Sequence, residues 1–435
     1  MNKIIAAIIL MVVALRIELS AQVAISLEQC REMALNTSEA MMKAGNSYEQ
    51  AKLDKAIAFT SFLPKIDGTA MGMSNPKSME MFNMELQMKG VYMAGISLTQ
   101  PIYVGGKIIT GYEMSKIGIE CAELNRQKTR MDIIANADNS YWSLYAIRHK
   151  IKMIEASIIQ VDTLYSVVKK KVDVQMATKN DLLRIETRRA QMRYQLEKAK
   201  NGALLCQVSL CNVIGVDLDK QILLTDSVKD CVYRHDYVTD VYGRPEFKLL
   251  EKQINIEKHN VKLARAEYLP TISFSAQYSH FGNMKMKGVY ELPDGSSQPY
   301  KTTYNSGSPM FMVSVSVPLW NWGQSCKKVK KAKLQVENAR LSLQENRDLL
   351  DIELRQAIQN VEDGIRLVQT AKTGIEMADE NLKNMTLSYN LGMSTLTDFL
   401  EAQAQWQEAQ SSYIETQAQY MIYETQYRKA AGILQ

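Results

Sequence analysis

The chain has 435 residues, 46% of them hydrophobic, with only 9 prolines and 21 glycines, a helix-forming mixture long enough for two or three ordinary domains or one large one. Its formal charge is +5, which is too small over this length to imply a nucleic-acid partner. The six cysteines (30, 121, 206, 211, 231 and 326) follow no repeating spacing, so no disulfide framework is indicated.

Taken in order, the chain starts as a secretory leader. Lys3 supplies the positive region, Ile4 to Leu15 the apolar run and Leu19-Ser20-Ala21 the small-residue cleavage site. Residues 1–21 are therefore expected to be removed, leaving a charge of +4. No cysteine follows the site in lipid-acceptor context. Ser26 to Phe62 reads as helix, ended by Leu63-Pro64. The period then changes from helical to alternating. Lys65 to Ser74 forms a weak strand with Ile66, Gly68 and Ala70 on one face, Met71 to Gly90 is loop-like, and Val91 to Thr99 forms a strand with Tyr92, Ala94, Ile96 and Leu98 on one side. Pro101 should end that strand, and Gly105-Gly106 should turn the chain into a helix.

That helix is expected to run for roughly 65 residues, on the order of 100 Å. Ile151, Ile154, Ile158, Val161, Tyr165, Val168 and Val172 step along it by threes and fours, a coiled-coil seam. It breaks at Val174 to Asp181, where Thr178 and Asp181 form a capping box that restarts a returning helix. Gly215 suits that helix's left-handed end. Val216 to Gly243 is an irregular polar connector.

Arg244-Pro245-Glu246 then opens the same plan a second time. At a constant offset of 217, Pro101 aligns with Pro318, Gly106 with Gly323, Asp181 with Asp398 and Gly215 with Gly432. The chain thus divides into a leader (1–21), a first repeat (22–215), a connector (216–243) and a second repeat (244–435). In the second repeat Ile272, Phe274, Ala276 and Tyr278 alternate with polar residues, as do Phe311, Val313, Val315, Val317 and Leu319. A polar loop over Gly282 to Pro309 separates them. The basic run Lys327, Lys328, Lys330, Lys331 and Lys333 reads as a solvated helix start. Val368, Ala371, Ile375, Ala378, Leu382, Met385 and Tyr389 repeat the seam, and Leu391 to Asp398, with its own capping box at Thr395 and Asp398, repeats the break.

Four strands of about 9 to 11 residues, each apolar on one face, match tilted strands crossing a bilayer. Four cannot close a barrel, and open edges in hydrocarbon would cost several kcal/mol per group, so other copies of the chain must complete the sheet. Two copies make 8 strands around a filled interior and three make 12 around water; a polar inner face favours three. A soluble sandwich is the alternative for the strands, and a secreted coiled-coil fibre or adhesin for the whole. Four scattered histidines (149, 235, 259, 280), with no metalloprotease, nucleophile-elbow or phosphate-loop motif, point away from an enzyme. Trp320 and Trp322, just after a strand, suit an interfacial aromatic belt. Methionines crowd both strand hairpins (Met71, Met73, Met79, Met81, Met84, Met88, Met93; Met284, Met286, Met310, Met312); thioethers prefer Cu(I), which would suit copper export, while the plain reading is apolar filler.

Arg244-Pro245-Glu246, Tyr268-Leu269-Pro270, Pro318 with Gly323, and Tyr389-x-x-Gly392 followed by Thr395-x-x-Asp398, in order and in duplicate, resemble the TolC family of outer-membrane efflux proteins over essentially the whole mature chain. The resemblance implies a homotrimer with long antiparallel coiled-coil helices forming an α-barrel, and four strands per chain completing a 12-stranded β-barrel in outer-membrane lipid. It implies a passive duct, without cofactor, resident metal or nucleic acid, docked to a periplasmic adaptor and an inner-membrane transporter, for small molecules or for type I protein secretion. It implies an acidic ring at the periplasmic entrance from Asp398 and Glu401, and a tip latch involving Asp181, Tyr389, Gly392, Thr395 and Thr178. Gln175, at the first tip's glycine position, and Ser394, where some relatives carry a basic residue, depart from the pattern.

Overall fold

The computed structural model describes residues 23–81, 84–228, 236–291 and 295–434; the expected leader, and Cys231 and His235 of the connector, lie outside them. In chain order the elements are β1 (Val23–Ile25), α1 (Leu27–Thr37), α2 (Glu39–Thr60), β2 (Lys65–Met73), β3 (Met79–Met81), β4 (Met84–Gln87), β5 (Val91–Val104), α3 (Lys107–Asp173) and α4 (Lys179–Ile214). Then come β6 (Ile222–Leu224), α5 (Pro245–Ala266), β7 (Thr271–Glu291), β8 (Ser297–Ser316), α6 (Gln324–Asn390) and α7 (Leu396–Ala430). They form two compact units: one of residues to Asn46, Leu124–Leu249 and from Gln344 on, the other of Ser47–Glu123 and Leu250–Leu343.

The second of these holds the sheet, together with most of α2 and α5 and the starts of α3 and α6. β2 pairs β5, β5 pairs β7 and β7 pairs β8, all antiparallel, with the short β4 and β3 continuing from the far part of β7. Residues directly opposite in such ladders share a face. The register sets Ile66 beside Leu98, Leu98 beside Ala276 and Ala276 beside Phe311, while Ile96 meets Tyr278 and Phe274 meets Val313. All four apolar rows anticipated from alternation therefore join into one face. It is not covered: Ile66, Ile96, Phe311, Val313 and Val315 are each more than 60% exposed. The opposite face carries Thr69, Ser97, Thr99, Ser275, Gln277 and Ser314, together with Met71 and Met93 as cross-strand partners.

Five expectations need correction. Pro101 does not end β5, which continues to Val104; the ladder shifts register between Pro101 and Tyr103, the kind of irregularity where a residue without an N–H is tolerated. Gly282 to Pro309 is not loop but the outer part of a long hairpin, because β7 reaches Glu291 and β8 begins at Ser297. Its Thr302, Thr303 and Tyr304 favour extended backbone without an apolar face to announce it. The long strands β5, β7 and β8 therefore have 14, 21 and 20 residues, beyond the 9 to 11 expected, although β2 has 9. Met71 to Gly90 likewise holds the end of β2 and the short β3 and β4. Ser38 also interrupts the first helical stretch.

The other unit is mainly helical and holds the greater part of both long helices. α3 and α6 are each 67 residues long, and the returning α4 and α7 have 36 and 35. Their seams are buried where the 3-4 spacing placed them: Ile154, Val161, Val168, Val368 and Tyr389 are each under 9% exposed. Among the described residues no helix is long and apolar enough to cross a membrane. The connector is not wholly irregular, since β6 pairs in parallel with β1. This two-stranded sheet packs on Tyr141 and Trp142 of α3 and on Leu210 and Ile214 of α4. Asp226 fastens it, accepting hydrogen bonds from the Leu27 backbone (2.5 Å) and the Tyr141 hydroxyl (3.1 Å).

Asp138, fully buried on α3, accepts from Arg31 Nε (2.7 Å) and Nη2 (2.5 Å) on α1 and from Thr425 Oγ1 (2.6 Å) on α7. Removing one member of a buried, hydrogen-bonded ion pair costs about 3–5 kcal/mol, because the other is left unpaired. Asp138→Ala should therefore release α1, read as accelerated backbone hydrogen exchange over Leu27–Thr37; wild-type protection there would refute the role given to this pair.

Candidate functional site: the paired hairpin tips

Each long helix ends in the same way. Met176 N donates to Lys171 O (2.7 Å) and Gln175 N to Val172 O (3.0 Å); Met393 N donates to Ser388 O (2.8 Å) and Gly392 N to Tyr389 O (3.1 Å). This paired pattern closes a helix through a residue in the left-handed region, usually glycine. Gly392 sits there at φ 74°, and Gln175 occupies the equivalent place at φ 60°. The tip geometry has thus been kept without the glycine, at a steric cost on the order of 1–2 kcal/mol for a side chain.

Three residues on, each returning helix restarts through a full capping box. Thr178 Oγ1 accepts from Asp181 N (3.1 Å) while Asp181 Oδ2 accepts from Thr178 N (3.0 Å); Thr395 and Asp398 repeat this at 3.2 and 2.9 Å. The threonine hydroxyl and backbone bonds hold both carboxyl groups below the usual aspartate range. Each aspartate uses only Oδ2 for these bonds, so Asp398, on an exposed turn, keeps Oδ1 free to face solvent or an ion. Glu401, one turn further along α7, is exposed as well.

Below the turns an apolar cluster joins all four helices: Leu164 and Val168 of α3, Ile185 of α4, Tyr389 of α6, and Leu396 and Phe399 of α7. The Tyr389 ring lies 5.8 Å from Phe399, with Lys171 Nζ 4.6 Å from its centre. Burial first, and the Asp181 charge second, push the Tyr389 hydroxyl up. Tyr389 and Asp181 are thus brought together, but among the described residues they share no hydrogen bond.

What sequence reasoning missed is a set of polar rungs between the two hairpins. Arg184 Nη1 donates to Thr397 Oγ1, Arg188 Nη2 to Gln407 Oε1 (2.9 Å), Gln407 Nε2 to Gln195 Oε1 (2.9 Å), and Lys150 to Glu415. Arg184 therefore brings a basic group to the second tip from the opposite hairpin, whereas Ser394 brings none. These partners lie more than 200 residues apart, and polar residues on an amphipathic helix carry no signal of what they will meet. Pro101, Gly105, Gly106, Pro318 and Gly323 belong to the other unit: Gly105, Gly106 and Gly323 turn the chain at positive φ and Pro318 follows the end of β8, whereas Pro101 lies within β5. A side chain at Gly105 (φ 63°) would come within 2.6 Å of the Ala266 carbonyl, so that turn requires glycine.

The family profile described as "Outer membrane efflux protein" matches residues 30–216 and again 243–433. Among characterised proteins, the chain is 21% identical over 320 residues to the outer membrane efflux protein BepC of Brucella suis biovar 1, covering 71% of this chain and 65% of that protein. It is also 21% identical over 399 residues to the pyoverdine export outer membrane protein OpmQ of Pseudomonas aeruginosa, covering 87% of this chain and 78% of that one. The match to BepC therefore spans just under two thirds of that relative. Of solved structures, the Campylobacter jejuni CmeC outer membrane channel superposes with a TM-score of 0.77 at 20% identity, over 93% of this chain and 85% of that one.

Two substitutions test the tip geometry in opposite directions. Gln175→Gly should stabilise the first turn by about 1 kcal/mol by removing the left-handed strain, slowing hydrogen exchange at 174–178. Thr395→Ala should lose a cap of about 1 kcal/mol and speed exchange at 396–399. Because the folded carboxyl values are depressed, cap stability is complete above the unfolded aspartate value near 3.9 and is lost as pH falls through the lower folded values. Exchange at both tips, corrected for intrinsic rates, should rise only below about pH 4; a rise centred near neutrality would contradict the capping assignment.

Proposed function

Because the chain belongs to the outer membrane efflux protein family, we propose that three copies of it form an outer-membrane channel, the exit duct of a tripartite efflux system. The observation that carries this reading is the sheet: a continuous exposed apolar face, a polar opposite face, and two open edges at β2 and β8. Water would leave the apolar face unsupported, and hydrocarbon would leave the edges unpaired at several kcal/mol per group. Joining β8 of one copy to β2 of the next, three times, satisfies both conditions with twelve strands and leaves the Ser, Thr and Gln face around a water-filled lumen. The parts of β7 and β8 beyond the apolar rows then extend outside the bilayer as a polar hairpin.

On this reading the helices continue into the periplasm and the hairpin tips form the entrance. Threefold symmetry sets three Asp398 and three Glu401 around one axis. The Thr395 cap holds the Asp398 carboxyl below its usual range, and an anionic ring attracts cations and opposes anions. The inter-hairpin rungs act as the latch, with Arg184–Thr397 nearest the tip, and opening moves one hairpin against the other. Val174, Met176, Leu391 and Met393, each more than 60% exposed at the turns, present an apolar surface to a periplasmic adaptor, which links the duct to an inner-membrane transporter. The duct is passive; passage rather than bond chemistry is its activity.

Single-channel recording in planar bilayers tests this. Wild type should conduct weakly and be blocked by divalent cations from the tip side. Asp398→Ala with Glu401→Ala should abolish the block, and Arg184→Ala should raise the open probability several-fold. Protein that stays soluble, non-trimeric and non-conducting would overturn the reading.

A further inference from the structure

The two repeats differ where strand gives way to long helix. In both, apolar side chains precede the helix at equivalent positions: Ile102 and Tyr103 in the first, Leu319 and Trp320 in the second. These are exposed, with Leu319, Trp320 and Trp322 at 89%, 76% and 84%; the Trp320 and Trp322 rings meet edge-on at 5.9 Å. In the first repeat the counterpart is an apolar groove of about 330 Å³ bordered by Phe62, Pro101, Tyr103 and Ile109, beside a cluster of Phe59, Phe62 and Tyr112.

The charge beyond this aromatic band is where the copies part. Lys327, Lys328, Lys330, Lys331 and Lys333 open α6, and the same positions of α3 hold Thr110, Gly111, Glu113, Met114 and Lys116. The two helices have equal length, so the lysines are not required to build such a helix. Local energetics oppose them. Cations at a helix start face the positive end of its dipole, no acid occupies the first turn, and pairs such as Lys327–Lys331 and Lys330–Lys333 repel at helical spacing. Among the described residues only Lys328 of the five is in an ion pair, with Glu267 at 2.6 Å, and all five are exposed. The cluster lies within about 14 Å of the helix start, and helical side chains lean toward the N-terminus, here toward the tryptophans.

An exposed cationic surface at the border of an apolar, aromatic one is complementary to an amphiphile with an anionic head. We infer that this junction is a binding site for anionic glycerophospholipid of the periplasmic leaflet. The lysines neutralise lipid phosphates and relieve their mutual repulsion, while Leu319, Trp320 and Trp322 sit against glycerol and upper acyl chain. The inference rests on the outer-membrane placement above and adds a lipid preference to it.

The test uses full-length protein reconstituted in vesicles containing phosphatidylcholine with brominated acyl chains, or phosphatidylglycerol brominated in the same way, with tryptophan quenching as the readout. Trp320→Phe/Trp322→Phe protein subtracts the signal of Trp142 and Trp406. Brominated phosphatidylglycerol should associate more strongly than phosphatidylcholine by about fivefold per engaged lysine. The preference should vanish in 0.5 M salt and in Lys327→Gln/Lys330→Gln/Lys331→Gln/Lys333→Gln protein that still forms wild-type oligomers. Equal quenching by both lipids, or a preference that survives in the quadruple variant, overturns the lipid site while leaving the membrane placement intact. Quenching of Trp320 and Trp322 by neither lipid overturns both.

Discussion

Every backbone N–H and C=O placed against hydrocarbon must find a partner, and the sheet of this chain cannot meet that condition alone. Its internal ladders run from Lys65 opposite Thr99 to Thr271 opposite Ser316, broken only by register shifts at Pro101/Tyr103 and Phe281/Met284. The outer edges of β2 and β8 are open. A soluble protein would blunt such edges and bury the apolar face; here that face is continuous and bare. The proposed trimer, barrel and lumen would follow from supplying those missing partners.

The tips show how duplication preserves geometry more strictly than residues. Both hairpins stop their long helix with the same pair of backbone bonds and restart the next with the same reciprocal threonine–aspartate cap. One copy uses glycine for the left-handed position and the other tolerates Gln175. Hydrogen bonding at a helix end is worth enough to hold a side chain in an unfavourable region, and the cap that follows pins the chain from the other side. Two rigid turns are thereby set side by side, joined by the apolar cluster below them and by polar rungs between the hairpins that carry them. Such rungs can be exchanged for water at modest cost.

Where the copies diverge, they diverge in charge and in length of strand rather than in plan. The second hairpin is longer by its outer polar stretch, and the second long helix alone begins with a lysine cluster. Both lie at margins of the apolar face, one at each end of the strands. Divergence there leaves the pairing of β2, β5, β7 and β8 across the apolar rows untouched, because the hairpin end lies beyond those rows and the lysines are exposed.

Local pattern carried much of this protein's plan. Period-two and 3-4 spacing marked the strands and long helices, proline and glycine marked the turns between them, and each capping box announced its helix restart, since all of these depend on neighbours a few residues away. The strand-to-helix glycines and the capping threonine and aspartate of each tip were legible too, because the repeat displays them in duplicate. What only the tertiary structure decided depends on partners far along the chain. The register that merges four apolar rows into one face, the extension of β5 through Pro101 and of β7 and β8 into a polar stretch, the pairing of β1 with β6, the buried Arg31–Asp138–Thr425 pin and the Arg184–Thr397 and Arg188–Gln407 rungs are all of this kind. A ladder hydrogen bond asks nothing of the side chain, and a surface arginine carries no mark of the residue it will meet, so neither leaves a periodic trace to be read.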